Sequence, residues 1–465
     1  MPDKDIKKKI FSVLQNASSA GKSKPPKLKK SIVSIFSKKS DEDQIKKIAP
    51  LFQTTPPGEP AVSDKLSPKK ISIDKLKIYY PVIKKKIVAW SKRLINNLGI
   101  TEELTGLWGL DIGSTYLKLL KISREDGKPT ITNFYCEQIP PKFRGEGPQR
   151  DEFLKQFLRK LILKYKIEGD FVNYSIANPD LIIRSFKLPK MSYQEISKAV
   201  QWRLTQQYSV ELSKQIMRYI VLGEKEDRGV KQLEILTTTV PKEIIKEYVS
   251  FLRQSGLKPV AIEPDSFSFA FCVLANYKWK PNEVIVALNI GAKNTLFNVI
   301  INGNVNFCRK ISSGGHSFLS ALAKNMNISP EEAREKLNAF GVPKIDWQGF
   351  GSQGEESNYT DEQLIFKAIQ SPLEKFITEF RNSFDFFSYY LTHSSIQTID
   401  KILISGGGSK IKNLNEFLSA RLEAPVEKLN SLQNLQIAEQ IDKKSLEQWS
   451  SQLDIAIGLA LKRKF

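Results

Sequence analysis

The stretch Leu107–Ser123, LWGLDIGSTYLKLLKIS, decides how the rest of the chain is read. Two apolar runs flank Asp111-Ile112-Gly113-Ser114-Thr115, and they read as two strands closed by a short polar turn. The turn sets a carboxylate and two hydroxyls beside backbone amides, and Gly113, lacking a Cβ, lets an anion approach the backbone closely. Alone this is a weak signal, because Asp-x-Gly turns also close ordinary hairpins.

The pattern returns at 283–311, EVIVALNIGAKNTLFNVIINGNVNFCRKI: strand, glycine turn, strand, tight turn, strand. Here Asn289-Ile290-Gly291-Ala292-Lys293-Asn294-Thr295 occupies the place of the first turn, and Asn302-Gly303-Asn304 is a hairpin signal. A third turn, Ser405-Gly406-Gly407-Gly408-Ser409, ends the strand expected at 401–407 and precedes a helix expected from about 411. Glycines at a helix N-terminus suit the phosphates or base of a nucleotide, though such turns are also common for steric reasons alone. Elsewhere the sequence predicts strands at 107–111, 116–122, 131–139, 171–177, 233–240 and 258–264, and helices at 151–164, from Ser192, after Pro241, and at 266–276. Beyond the second unit it predicts a helix from about His316, a polar region to about 370, a helix at 372–391 and a closing helix in QLDIAIGLALKRK. A three-strand unit met twice, each time followed by helices, implies an internal duplication with a cleft between the halves.

The bulk properties bound the rest. A chain of 465 residues, 41% hydrophobic, has enough apolar mass for sizeable cores. No window approaches the roughly 20 apolar residues that span a bilayer, and the opening MPDKDIKKKIFSVLQ lacks the apolar run of a secretory signal, so a cytoplasmic location is expected. Cys136, Cys272 and Cys308 are too dispersed for a disulfide framework or a zinc site, and His316 and His393 are the only histidines. The net charge of +21 is uneven: residues 1–105 hold 23 Lys and Arg against 10 Asp and Glu. This Pro-, Ser- and Lys-rich arm reads as low-complexity chain with two short amphipathic helices, one on Ile6, Ile10, Val13 and Leu14, the other on Ile83, Ile87, Trp90, Leu94 and Leu98. An acidic membrane surface suits the second, with its Trp and flanking lysines; packing on a protein suits it equally. Nucleic acid suits the arm poorly, because no aromatic platforms interleave its lysines.

In order and content the elements resemble the α/β actin-like fold (the actin, heat-shock-chaperone and hexokinase type). Four segments carry a closer resemblance: LWGLDIGSTYLKLLKI, IIRSFKLPKMSYQEISKAVQWRLTQQYSV, CRKISSGGHSFL and ILISGGGSKIKNLNEFLSARLEAPVEKLN. They are similar to the PilM family of type IV pilus assembly, related to the cell-division protein FtsA, over about 107–462. The resemblance implies a duplicated two-lobe fold with a small inserted subdomain: an arm at 1–105, a first lobe at 106–282 with the insert at about 180–258, and a second lobe at 283–465. It implies ATP with magnesium in the cleft. Asp111, Gly113, Ser114 and Thr115 would form the first phosphate turn, with Lys118 nearby and Asp111 reaching magnesium through water. Asn289, Gly291 and Thr295 would form the second turn, Gly314 and Gly315 the paired glycines before the next helix, and Gly406, Gly407, Gly408 and Ser409 the adenosine end. It also implies a short cytoplasmic peptide of a PilN-like inner-membrane protein as partner, with the chain peripheral at that membrane and self-association open.

Two residues depart from the family's pattern. Asn289 stands where the family has Asp, which implies that nucleotide binds with turnover slow or absent. Arg334 stands where an acidic residue is expected, which puts the ribose contact in question. Two other readings stay open on the same fold: an FtsA-like membrane-tethered filament former, and a sugar-kinase-like phosphotransferase, for which no catalytic base is visible.

Overall fold

The computed structural model describes residues 106–125, 127–208, 210–227, 229–344, 359–392 and 398–462. The two amphipathic helices expected in the arm lie outside them.

The chain opens with an antiparallel meander, β1 (Leu107–Ile112), β2 (Tyr116–Glu125) and β3 (Lys128–Gln138), crosses through helix α1 (Pro148–Tyr165) and returns as β4 (Phe171–Ile176), parallel to β1. Leu154, Leu158, Leu161 and Ile162 form the buried stripe of α1, at the spacing a helix needs to cover a sheet. A small sheet follows, built from β5 (Ile182–Pro189), β6 (Gln215–Asp227) and β7 (Val230–Pro241) in the order β5-β7-β6. Helix α2 (Tyr193–Tyr208) packs on it through Ile196, Val200 and Leu204. Then α3 (Lys242–Gln254), β8 (Lys258–Pro264) and α4 (Asp265–Asn276) complete the first half.

The second half repeats the plan. β9 (Val284–Ile290), β10 (Thr295–Ile301) and β11 (Asn304–Ile311) form a meander, α5 (Gly315–Met326), α6 (Pro330–Phe340) and α7 (Asp361–Asp385) follow, and β12 (Lys401–Ser405) lies parallel to β9. Every residue of β9 is buried, as a central strand covered on both faces requires. Asn302 and Gly303 turn with φ of 52° and 72°, the paired positive values of the tight hairpin their sequence foretells. The chain ends with α8 (Leu414–Leu422), β13 (Val426–Lys428), β14 (Gln436–Ile437), α9 (Lys443–Trp449) and α10 (Asp454–Leu461).

Sheet orders are β14-β3-β2-β1-β4-β8 and β11-β10-β9-β12-β13. The chain thus crosses back at its end: β14 joins the first sheet beside β3, and α10 packs on β1, β2, β4 and α4, on the far side of a lobe boundary drawn at 282/283. One core joins the halves, with Leu120, Ile122 and Ile131 on one side, Ile285, Ala287 and Leu403 on the other, and α4 and α10 between.

The helices between 316 and 391 differ from the sequence expectation. Ser329 and Glu332 cap each other around Pro330 and start α6 inside the region read as polar. Thr360 and Gln363 do the same for α7, which starts well before Pro372 and carries that proline inside. The strand β6 was not foreseen. The third glycine strand ends at Ser405 rather than 407, because Gly406 takes φ +82°; a one-turn 3-10 helix, Gly407–Lys410, separates it from α8.

Candidate functional site

The first turn is held by its own backbone. The Gly113 amide donates to the Tyr116 carbonyl at 3.0 Å, the Ile139 amide to the Thr115 carbonyl at 2.8 Å, and Arg150 donates to the Gly113 carbonyl at 3.1 Å. Asp111 is 5% exposed; Lys118 pairs with its Oδ2, and Ser175 on β4 donates to its Oδ1 at 3.3 Å. A Cβ on Gly113 would lie 3.3 Å from the Tyr116 carbonyl oxygen and 3.4 Å from the Lys118 ammonium, so the glycine keeps the turn's surface low where the lysine enters. Among the described residues, the amides of Ser114 and Thr115 donate to no protein acceptor.

The second turn copies the first. The Gly291 amide donates to the Asn294 carbonyl at 2.9 Å, while the Gly291 and Ala292 carbonyls accept from the amides of Gly315 and His316 at the start of α5. A Cβ on Gly314 would fall 2.6 Å from the Gly291 oxygen, so that glycine exists to bring helix and turn together. Thr295 is buried and donates its hydroxyl to the Ser313 carbonyl at 2.7 Å, so the hydroxyl holds the turn's exit.

The third turn docks on the second. Gly406 and Gly408 pass so close to Ile290 that neither tolerates a side chain, and a Cβ on Gly315 would meet the Gly408 α-carbon at 3.6 Å. Only at Gly407 is there room. Ser409 is buried, and its hydroxyl donates to the Gly406 carbonyl at 2.7 Å, closing the turn. Lys410 reaches the Gln448 carbonyl over the Trp449 ring, and Trp449 stands edge-on to Tyr116, 5.0 Å between centroids. Arg334 is exposed on α6.

What joins the turns is a residue that sequence reading passed over. Asp454, fully buried at the start of α10, accepts from Asn289 Nδ2 at 3.2 Å and from the hydroxyls of Ser405 and Ser431. Burial raises its carboxyl to about 8, against the opposing pull of Ser431, the Gly406 amide, Lys118 and Asn289. The field of Lys118 therefore reaches from the first turn to a group bonded to the second and third. Burial also raises the Asp265 carboxyl at the start of α4, which pairs with Lys310 of β11 at 3.2 Å. The signal in the sequence was a lone Asp in QLDIAIGLAL, an otherwise apolar run.

This arrangement fits a phosphate-bearing ligand: free amides at Ser114 and Thr115, a lysine beside them, and glycine surfaces facing one another. For magnesium the fit is narrower. Among the described residues no three carboxylate, His or Cys groups converge on one point, and the carboxylate of the first turn, Asp111, is buried between Lys118 and Ser175. Magnesium usually keeps several waters and takes one or two carboxylates with the phosphates, so it fits here as a companion of nucleotide and not as a separate protein site. Among the described residues no helix is long and apolar enough to cross a membrane.

Comparison with known proteins is consistent with this geometry. The family model described as "Type IV pilus assembly protein PilM" matches residues 109–346 and 357–464. The structure titled "PilM-PilN type IV pilus biogenesis complex" superposes with a TM-score of 0.61 at 23% identity, covering 76% of this chain and 97% of that one. The ethanolamine utilization protein EutJ from Carboxydothermus hydrogenoformans matches at 0.40 and 14% identity, over 76% and 88% of the two chains. MreB5 of Spiroplasma citri bound to ADP matches at 0.43 and 12%, over 76% and 94%. The twice-built β-meander, each with a parallel fourth strand reached through helices, is the actin-like fold.

Proposed function

This chain belongs to the PilM family of type IV pilus assembly proteins, and from that premise we propose that it is a nucleotide-binding scaffold. In this reading ATP with magnesium occupies the cleft. The amides of Ser114 and Thr115 donate to phosphate oxygens, Lys118 shares its charge between Asp111 and the phosphates, and Asp111 orients magnesium-bound water. Gly315, Gly407 and Gly408 leave the surface on which the nucleoside end lies. When bound, the ligand supplies phosphate charge between the lobes, and so favours a lobe angle in proportion to its differential contacts with open and closed states.

The observation that carries the reading is the meeting of the second and third glycine turns at Asp454, with free amides on the first turn and, beside them, Lys118, whose charge acts on the same carboxyl. Asn289 contributes an amide where a carboxylate would help to organise phosphoryl transfer, so turnover is slow or absent. The partner in this reading is a short cytoplasmic peptide of a PilN-like inner-membrane protein. It places the chain in the cytoplasm, peripheral to that membrane, with the arm at 1–105 facing acidic lipid.

Calorimetric titration with ATP and with ADP, each with magnesium, alongside phosphate release, tests it. Binding without release supports the scaffold. Absence of binding refutes the nucleotide reading, and magnesium-dependent hydrolysis lost in Asp111→Ala refutes the claim of a stalled site.

A further inference from the structure

The two repeats differ at one point. In the first, Ser175 on the strand beside β1 donates to Asp111 of that same hairpin at 3.3 Å. In the second, Ser405 on the strand beside β9 is in register with Asn289, yet its hydroxyl lies between Asp454 Oδ2 and the Ser451 carbonyl, the latter at 3.1 Å. Asn289 turns to the same carboxyl, donating Nδ2 to Oδ2 at 3.2 Å. The second hairpin therefore draws its carboxyl from α10, a helix that packs on the first sheet.

The consequence falls on the orientation of an amide. A carboxamide offers two donors on nitrogen and an acceptor on oxygen. Oδ2 of Asp454 keeps a lone pair for Nδ2 whether the carboxyl is ionised or carries a proton on Oδ1, where Ser431 is its neighbour. The nitrogen of Asn289 is thereby fixed inward. Its Oδ1 accepts from no described residue and is not among the buried atoms that lack a partner, so it faces outward from the turn.

We infer that Asp454 is the positioning residue of the second hairpin: it holds the Asn289 amide with its carbonyl oxygen presented to the cleft, as an acceptor for the ligand or its bound water. The inference rests on the nucleotide reading of that cleft. The charged and titratable groups facing Asp454 are Lys118 from β2 and Cys272 from α4.

The test compares four variants of the full chain, read by calorimetric titration with ATP and magnesium and by unfolding temperature without ligand. Asp454→Ala frees the amide to rotate, and ATP affinity falls about tenfold, the worth of one hydrogen bond to a charged group. Asp454→Asn keeps an acceptor for Nδ2, and affinity is retained. Asn289→Asp brings two carboxyls together, and above pH 8, where Asp454 is ionised, both affinity and unfolding temperature fall. Asn289→Asp with Asp454→Asn reverses the donor and acceptor of the same bond, and both quantities recover. Because Asp454→Asn and the exchanged pair change almost no volume, they remain informative if Asp454→Ala fails to fold. A merely structural role would lower unfolding temperature and leave the affinity of folded Asp454→Ala unchanged, which overturns the inference while the nucleotide reading stands; so would failure of the exchanged pair to recover. Wild-type protein that takes up no ATP overturns the nucleotide reading and the ligand assigned here with it.

Discussion

Gly458 on α10 lies against the carbonyl oxygen of Ser268 on α4 so closely that no Cβ fits between them. On the neighbouring face Gly109 of β1 meets the Ala456 carbonyl in the same way. Helix α10 is thus pressed between a helix and a strand at backbone distance, and Asp454 sits at its first turn. Gly458→Ala is expected to cost about 3 kcal/mol, since backbone must move to admit the methyl group. Gly145→Ala, with open space around it and no positive φ, changes little. Denaturant unfolding of the two variants checks the contrast; equal stability would mean that α10 can shift freely.

The Asp454 carboxyl gives a pH signature. Its proton is held to about pH 8 in the folded protein by burial, whereas the unfolded chain releases it from about 3.8. Between those values the folded state binds the extra proton, so stability declines as pH rises and levels off above about 8. Asp454→Asn should flatten that slope. Unfolding temperature measured across the window in both proteins provides the comparison, and an unchanged slope in the variant assigns the effect elsewhere.

Lys118 and Asp111 form a pair with side chains 13% and 7% exposed. Lys118→Met leaves the carboxylate with Ser175 as its one side-chain donor among the described residues and is expected to cost about 3 kcal/mol. Adding Asp111→Asn removes the stranded charge and recovers most of that loss. A double-mutant cycle measures the coupling, and additive costs would show that the pair is not an interacting unit.

Thr295 offers a different contrast. Its hydroxyl is spent on the buried Ser313 carbonyl, so Thr295→Val should cost about 1–3 kcal/mol by leaving that oxygen unpaired. ATP affinity of the folded variant should stay as in the wild type. A large loss of affinity without loss of stability would return this hydroxyl to the ligand.

The hairpins were legible because their signals are local. Apolar runs around Asp111-x-Gly113 and Asn289-x-Gly291 give strand and turn directly, and Asn302-Gly303 requires its positive φ values. Asp454 was not legible as a member of the site, since its partners Asn289 and Ser405 lie 165 and 49 residues away and meet it only through the parallel pairing of β9 with β12. The start of α7 was misplaced because Pro372 reads as a helix entrance, whereas the stronger signal was the reciprocal cap of Thr360 and Gln363. Likewise, the hydroxyls of Thr295 and Ser409 look available in sequence, and only tertiary contacts show where they are spent.

The return of α10 to the first sheet has a consequence for how the molecule comes into being. On the ribosome, β1 emerges early, but the helix that covers Gly109 and completes the layer over Leu120 and Ile131 emerges some 350 residues later, from Asp454 on. Until then the first half exposes an unfinished apolar face and can only wait, as contacts so distant in sequence form slowly. The second half is framed meanwhile between the two parts of its neighbour, so the halves mature together and neither is a freestanding fragment.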